Sequence, residues 1–217
     1  METLSVSELF VSIQGESLAA GRLCAFVRLA GCNLRCVYCD TNYAWDADAG
    51  RAMAVDDVAA WVSGSGVPLV EITGGEPLLQ PAVYPLMETL IGRGLEVLLE
   101  TNGHVDARGV PERVTRIIDV KTPGSGMAEG DYLVNLPSLR ENDQIKFVLT
   151  DRSDYDWAKE VLAAHPELGR VSAILFSPAF ETLLPRDLAG WIITDRLPVR
   201  FQLQLHKYVW GPQERGV

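Results

Sequence analysis

The sequence predicts an α/β fold with a mostly parallel sheet, and three observations carry that reading. Short apolar runs rich in β-branched residues alternate with helical patterns from one end of the chain to the other. Runs such as Leu69-Val70-Glu71-Ile72 and Ala173-Ile174-Leu175-Phe176 are nearly continuous in hydrophobicity, as strands covered on both faces must be. About six or seven such runs occur, too few to close an eight-stranded barrel. An open partial barrel or an open doubly wound sheet remains, and in both, ligands gather beyond the carboxyl ends of the strands.

Taken in order, a strand is expected near Ser7–Ile13 and another at Cys24–Leu29. A helix over Val55–Val62 follows, with Asp56 as its N-cap. Leu69–Thr73 reads as a strand, and Ala82–Ile91 as a helix that Gly94 stops. Glu96–Glu100, Arg116–Val120 and Gln144–Leu149 are strands. Asp154–Ala164 is a helix capped by Asp154, Ala173–Phe176 a strand, Arg186–Ile192 a helix and Arg200–Leu205 the last strand.

No repeat, low-complexity tract or linker divides residues 1–217, so one domain is expected. A chain of this size buries roughly 70% of its unfolded surface and needs no disulfide staples. Its 47% hydrophobic and 22% charged residues exclude disorder and collagen-like structure. A formal net charge of −10 disfavours broad nucleic-acid binding. Met1–Phe10 is acidic and lacks a signal-like apolar run, and no stretch offers the apolar length of a membrane span. A cytoplasmic protein with neither nucleic-acid nor membrane partner is expected.

Polar signals collect where the predicted strands end. Gly31-Cys32-Asn33, Thr73-Gly74-Gly75-Glu76-Pro77, Glu100-Thr101-Asn102-Gly103, Asp119-Val120-Lys121-Thr122, Ser177-Pro178 and His206-Lys207 all fall there. Cys32, Cys36 and Cys39 form a CxxxCxxC loop, close enough to share one metal centre. Zinc in a structural site wants four protein ligands, and Cys24, inside a predicted strand, reads as a buried small hydrophobe instead. Three thiolates also suit a four-iron cluster, which normally takes four cysteines, with one iron left open. Both readings stand on the residues alone. In Thr73-Gly-Gly-Glu76-Pro77 the glycines let backbone approach a ligand, and Glu76 with nearby carbonyls can receive an ammonium group.

The cysteine motif, with Tyr38 before its last member, resembles the signature of the radical S-adenosylmethionine (SAM) superfamily, and Gly74-Gly75-Glu76-Pro77 resembles that superfamily's second motif. The resemblance implies a small open partial (β/α) barrel of about six parallel strands with crossover helices. It implies a 4Fe-4S cluster on Cys32, Cys36 and Cys39 whose open iron chelates S-adenosyl-L-methionine. Cleavage of that cofactor yields a 5′-deoxyadenosyl radical, so the cofactor carries the hard chemistry and no protein side chain is expected to be catalytic.

Further segments resemble one family, 7-carboxy-7-deazaguanine synthase. They are Ser12-Ile13-Gln14-Gly15-Glu16, Val27–Leu34, Cys39-Asp40-Thr41, Glu100–Gly103, Asp119–Gly126, Gln144–Phe147 and Gln204–Tyr208. The resemblance implies a carbon–nitrogen lyase that contracts 6-carboxy-5,6,7,8-tetrahydropterin to 7-carboxy-7-deazaguanine with loss of ammonia, in the queuosine pathway of tRNA modification. It implies substrate contacts at Ile13, Gln14, Gly15, Arg28 and Thr73, and cofactor contacts at Tyr38, Asp40, Gly75, Asp119, Val120, Lys121, Ser177 and Pro178. Arg28 suits a carboxylate, which a guanidinium holds through two hydrogen bonds. Thr41 is the expected ligand of a magnesium ion (Mg2+), an oxygen-seeking cation that takes few protein ligands. Glu16 and His206 are further candidates for substrate. An external one-electron donor such as a flavodoxin and a homodimer are also implied.

Two positions depart from the family pattern. Ser17 stands where glycine is frequent, and Pro212, a chain-terminal carboxylate in some members, is followed here by Gln213 to Val217. The competing readings are an activase that places a glycyl radical on a partner, and a non-catalytic zinc module using all four cysteines.

Overall fold

The computed structural model describes residues 2–129, 133–212 and 214–217. Its strands are β1 (Thr3–Ile13), β2 (Leu23–Leu29), β3 (Arg51–Ala54), β4 (Leu69–Gly74), β5 (Glu96–Thr101), β6 (Thr115–Asp119), β7 (Gln144–Leu149), β8 (Ala173–Pro178) and β9 (Arg200–Phe201). The helices are α1 (Val55–Gly64), α2 (Val83–Gly92), α3 (Arg152–Ala164), α4 (Pro185–Asp195) and α5 (Leu205–Val209). All nine strands join one open sheet in the order β3-β1-β2-β4-β5-β6-β7-β8-β9. Every pair from β2 to β9 is parallel, giving seven parallel strands where about six were expected. On the other edge β1 runs antiparallel to β2 and β3.

Side-chain alternation along each strand sorts the residues onto two faces. Outward residues Val27, Leu29, Val70, Ile72, Val97 and Leu99 pack with Val58 and Val62 of α1 and Leu86, Met87 and Leu90 of α2. Further along, Ile145, Phe147 and Phe176 pack with Tyr155 and Ala158 of α3 and Leu188 of α4. Each fully buried aliphatic side chain here contributes roughly 1.5–3 kcal/mol. The inward face is different. Cys24, Phe26, Leu69, Leu98 and Ile117 form a small plug with Ala19 at the amino ends of the strands. Above the plug the inward positions turn polar, and there the site begins.

Several expectations need correction. β1 starts at Thr3, because its first residues pair with β3, a strand too short and exposed to show in the sequence. The N-cap of α3 is Asp151, whose carboxylate accepts the Asp154 N–H at 2.9 Å. Asp154 instead turns inward and accepts from Thr122 Oγ1, Gly124 N and Thr150 N. Ala54 precedes α1 without a side-chain cap, and Asp56 lies in the first turn, where it favours the helix dipole. Gly94 does end α2: its N–H bonds Ile91 O and the next N–H bonds Leu90 O. The last strand stops at Phe201, since the chain bends so that Leu205 N bonds Gly15 O and α5 begins. His206 is therefore helical. Among the described residues no α-helix crosses from β5 to β6 or from β6 to β7.

Candidate active site

A cavity of about 210 Å³ opens at the carboxyl ends of the parallel strands. Ile13, Gln14, Gly15, Arg28, Cys32, Cys36, Tyr38, Cys39, Asp40, Thr41, Thr73, Gly75, Asp119 and Lys121 all line it. Val120, Ser177 and Pro178 do not. Between inward Asp119 and Lys121, Val120 points outward into the core under α3. Ser177 is fully buried, and Pro178 lines a separate apolar hollow with Leu183 and Leu203. The chain reaches the cavity two residues later, at Ala179 and Phe180.

One wall is the cysteine loop. Gly31 N and Cys32 N bond the carbonyls of Ala44 and Trp45, which fixes where the loop leaves β2. Cys32, Cys36 and Cys39 are all free thiols. Burial pushes the Cys32 and Cys36 thiols up from their ordinary value. Cys24 lies in the plug, five residues back from Leu29 on β2 and so about 16 Å down the strand. It is the buried hydrophobe the sequence indicated.

The glycine pair interlocks with that loop. Gly75 N bonds Leu29 O at 2.9 Å, Glu76 N bonds Gly31 O at 2.7 Å, and a Cβ on Gly75 would overlap the Gly31 carbonyl oxygen. Glu76 does not face the cavity. Its buried carboxylate accepts from Leu78 N, Thr101 Oγ1 and Asn102 N, tying its own loop to the end of β5. The expectation that Glu76 receives an ammonium group is not met in the cavity, because its carboxylate is fully buried and already accepts three protein hydrogen bonds.

The floor is a charge network whose centre, Lys146, sequence reasoning left without a role. Lys146 of β7 pairs with Glu16 at 3.1 Å, with Glu100, and with Asp119 at 3.7 Å. Burial works against the Lys146 charge, but Glu100, Glu16 and Asp119 outweigh it and hold its ammonium well above the usual range. Glu71, two residues before Thr73, accepts from Gln14 Nε2. Burial, with Glu100 and Glu16 adding like charge, pushes the Glu71 carboxyl up to about 8. The signal was present: a charged residue at alternate positions of a strand otherwise apolar marks an inward polar site.

Glu71 gives a pH prediction. Its carboxyl is ordinary (about 4.5) in the unfolded chain and about 8 in the folded one, so the folded state holds a proton that the unfolded state releases. Stability is then lost progressively as pH rises from about 4.5 to about 8. Glu71→Gln removes that loss. Thermal unfolding should show the variant gaining over the parent at pH 8 and little at pH 4.5; a difference flat across this range would contradict a protonated Glu71.

The mouth is built by the last helix and the residues beyond it. Leu205 N bonds Gly15 O at 3.0 Å, and a Cβ on Gly15 would strike the His206 ring. Ser17 adopts φ 61°, the left-handed region that favours glycine, and is held by Gln202 Oε1 at its N–H. Its departure from the family pattern leaves the turn intact. Lys207 Nζ lies 2.7 Å from Asp40, with His206 Nε2 at 4.0 Å. Burial tends to raise the Asp40 carboxyl, but His206 and Lys207 outweigh it and hold it well below the usual carboxylate range. Pro212 and residues 214–217 also line the cavity, with the Arg215 guanidinium 3.8 Å over the Tyr43 ring.

Arg28 stands on the Phe10 ring, and its Nε bonds Glu8 at 2.9 Å, where Tyr43 OH also donates. That pair uses Nε and not the terminal fork, the part that binds carboxylates two-pronged. The site fits the groups the motifs imply. Soft thiols on one wall suit an iron–sulfur cluster, and Tyr38 OH and Asp119 Oδ1 are buried without a protein partner, as groups meant for a polar ligand would be. Thr41 Oγ1 lies 3.6 Å from Cys39 Sγ, at the edge of the cluster wall. Among the described residues no three His, Cys, Asp or Glu side chains are arranged to hold a single metal ion.

An open (β/α) barrel whose first parallel strand ends in three cavity-facing cysteines defines a radical SAM enzyme, and the pattern of the radical SAM superfamily matches residues 27–174. A 7-carboxy-7-deazaguanine synthase of Chlorobaculum tepidum is 49% identical over 99% of this chain and 97% of its own. One of Koribacter versatilis is 42% identical over 99% of this chain and all of its own length (100%). QueE from Escherichia coli shares the fold, with a TM-score of 0.74 at 23% identity, covering 94% of this chain and 95% of that one. The chain belongs to the 7-carboxy-7-deazaguanine synthase family, lyases of the radical SAM superfamily. Membership brings with it a four-iron–four-sulfur cluster and S-adenosylmethionine.

Proposed function

We propose that this cavity contracts the ring of 6-carboxy-5,6,7,8-tetrahydropterin to 7-carboxy-7-deazaguanine with loss of ammonia. The observation that carries the reading is one cavity that gathers three thiols, Arg28 and a polar floor. When bound, the cluster and S-adenosylmethionine supply the radical that starts the reaction. Cys32, Cys36 and Cys39 hold the cluster, and Tyr38, Asp40, Gly75, Asp119 and Lys121 hold S-adenosylmethionine. Ile13, Gln14, Gly15, Arg28 and Thr73 hold the substrate, with the Arg28 fork on its carboxylate. The plug below and the mouth above keep bulk water from the reacting atoms. An external one-electron donor such as a flavodoxin and a homodimeric state come to this reading from the family resemblance, and a cytoplasmic setting from the sequence. Among the described residues no helix is long and apolar enough to cross a membrane. The test is anaerobic reconstitution with iron and sulfide, followed by mass analysis of the carboxytetrahydropterin reaction. Reductive cleavage of S-adenosylmethionine without the ring-contracted product would refute it.

The reading includes a magnesium ion that Thr41, at the edge of the cluster wall, would hold. A bound dication is a large local charge, so its removal disturbs substrate pose more than fold. Chelation is expected to slow turnover while the iron–sulfur absorbance stays. Thr41→Val should reproduce that loss if the hydroxyl is the ligand. Full activity with divalent ions stripped would remove magnesium from the reaction.

A further inference from the structure

We infer that Asn102 is a positioning residue whose side-chain amide donates to the Cys32 thiolate and raises the reduction potential of the cluster. The inference rests on the reading that Cys32, Cys36 and Cys39 hold that cluster. Asn102 follows β5, lines the cavity wall and is 8% exposed. Its amide is oriented on every side. Oδ1 accepts the His104 N–H at 3.0 Å, Nδ2 gives one hydrogen to Asn33 Oδ1 at 2.7 Å, and Nδ2 lies 3.9 Å from Cys32 Sγ. Exchanging oxygen and nitrogen would set an NH₂ against the His104 N–H, so the network fixes which end faces the sulfur.

The backbone beneath this amide is equally constrained. Asn102 N donates to the buried Glu76 carboxylate at 2.7 Å, and Asn135 Nδ2 donates to both Gly103 O and Val105 O at 3.0 Å. The donor is thus delivered to the cysteine loop by a rigid turn, and no side-chain rotamer is left to chance. Cys32 Sγ also accepts the Leu34 N–H at 3.4 Å, so one thiolate gathers two N–H groups. Such donors stabilise negative charge on sulfur, and a reduced cluster carries one more negative charge than an oxidised one. Hydrogen bonds to cluster sulfurs therefore raise the potential. A residue that only braced the loop would leave that potential where it is.

The experiment is a redox titration of the reconstituted holoenzyme, with iron content measured on the same samples. Asn102→Leu removes the donor at similar volume, and the potential should move to a more negative value at full iron content. Asn102→Asp keeps the shape and the His104 acceptor but puts an anion beside the sulfur, so its shift should be larger in the same direction. Asn33→Ala removes the acceptor that aims the amide and should give a smaller shift. Unchanged potentials in Asn102→Leu and Asn102→Asp overturn the inference. Should Asn102→Leu lose iron, a parental potential in Asn102→Asp and Asn33→Ala overturns it equally. Parental protein that takes up no iron overturns the cluster reading itself, a separate failure.

Discussion

Alanine at Cys32, Cys36 or Cys39 is expected to abolish both iron–sulfur uptake and turnover, whereas Cys24→Ala should keep both. The three loop thiols face one cavity and are free, and each supplies a thiolate that no neighbouring group can replace. His206 does not offer a substitute, since its ring is engaged at the mouth with Asp40. Cys24 sits in the inner plug among Phe26, Leu69 and Leu98, about 16 Å down β2 from Leu29, too far from the loop to share its metal centre. Its loss costs packing, about 1 kcal/mol, an ordinary value for one small buried group. The measurement is iron per chain with the visible absorbance of the reconstituted protein. Equal iron loss in the Cys24 variant would sink the three-ligand arrangement.

The contrast between these cysteines shows what a sequence exposes. Cys32, Cys36 and Cys39 were legible because their spacing is itself the chemistry: three soft ligands in eight residues have few other uses. The parallel strands were legible because burial on both faces leaves runs such as Leu69–Thr73 almost wholly apolar. Glu76 was misread because nearby spacing cannot say which side of a loop a carboxylate takes. Only the fold reveals that Leu78, Thr101 and Asn102 surround it. Asp154 failed in the same way, its carboxylate bonded to Thr122 and Gly124 across 30 residues and more of chain. Ser177 and Pro178 lie off the cavity lining, which the chain reaches two residues later at Ala179 and Phe180, a register the sequence does not display. Lys146 carried a signal, a charge inside an apolar strand, but its role was not legible, because its partners Glu16, Glu100 and Asp119 come from three separate segments.

Lys146→Met is expected to be the most damaging single change on the cavity floor. The ammonium is 5% exposed and stands among Glu16, Glu100 and Asp119, whose side chains are 15%, 25% and 8% exposed. Methionine fills a similar volume but leaves Glu16 and Glu100 facing one another without their lysine, while Asp119 keeps only Lys121 at 2.7 Å. Breaking a buried ion pair from one side costs roughly 3–5 kcal/mol, mostly from the charges left behind. For a chain of this size each kcal/mol moves the melting temperature by about 2–4 °C, so a fall on the order of 10 °C is expected. The sign with pH follows from the same charges. Lys146 helps to hold the Glu16 carboxyl below its ordinary value, so its loss lets that carboxyl rise in the folded state. The deficit should then be greater at pH 8, where the unfolded chain has released these protons, than at pH 4.5. Glu100→Gln in the same chain removes one of the stranded charges and should restore part of the loss, since the two residues are in contact. If the double variant melts no higher than Lys146→Met alone, at either pH, then the lysine acts by packing and the floor is not held by charge.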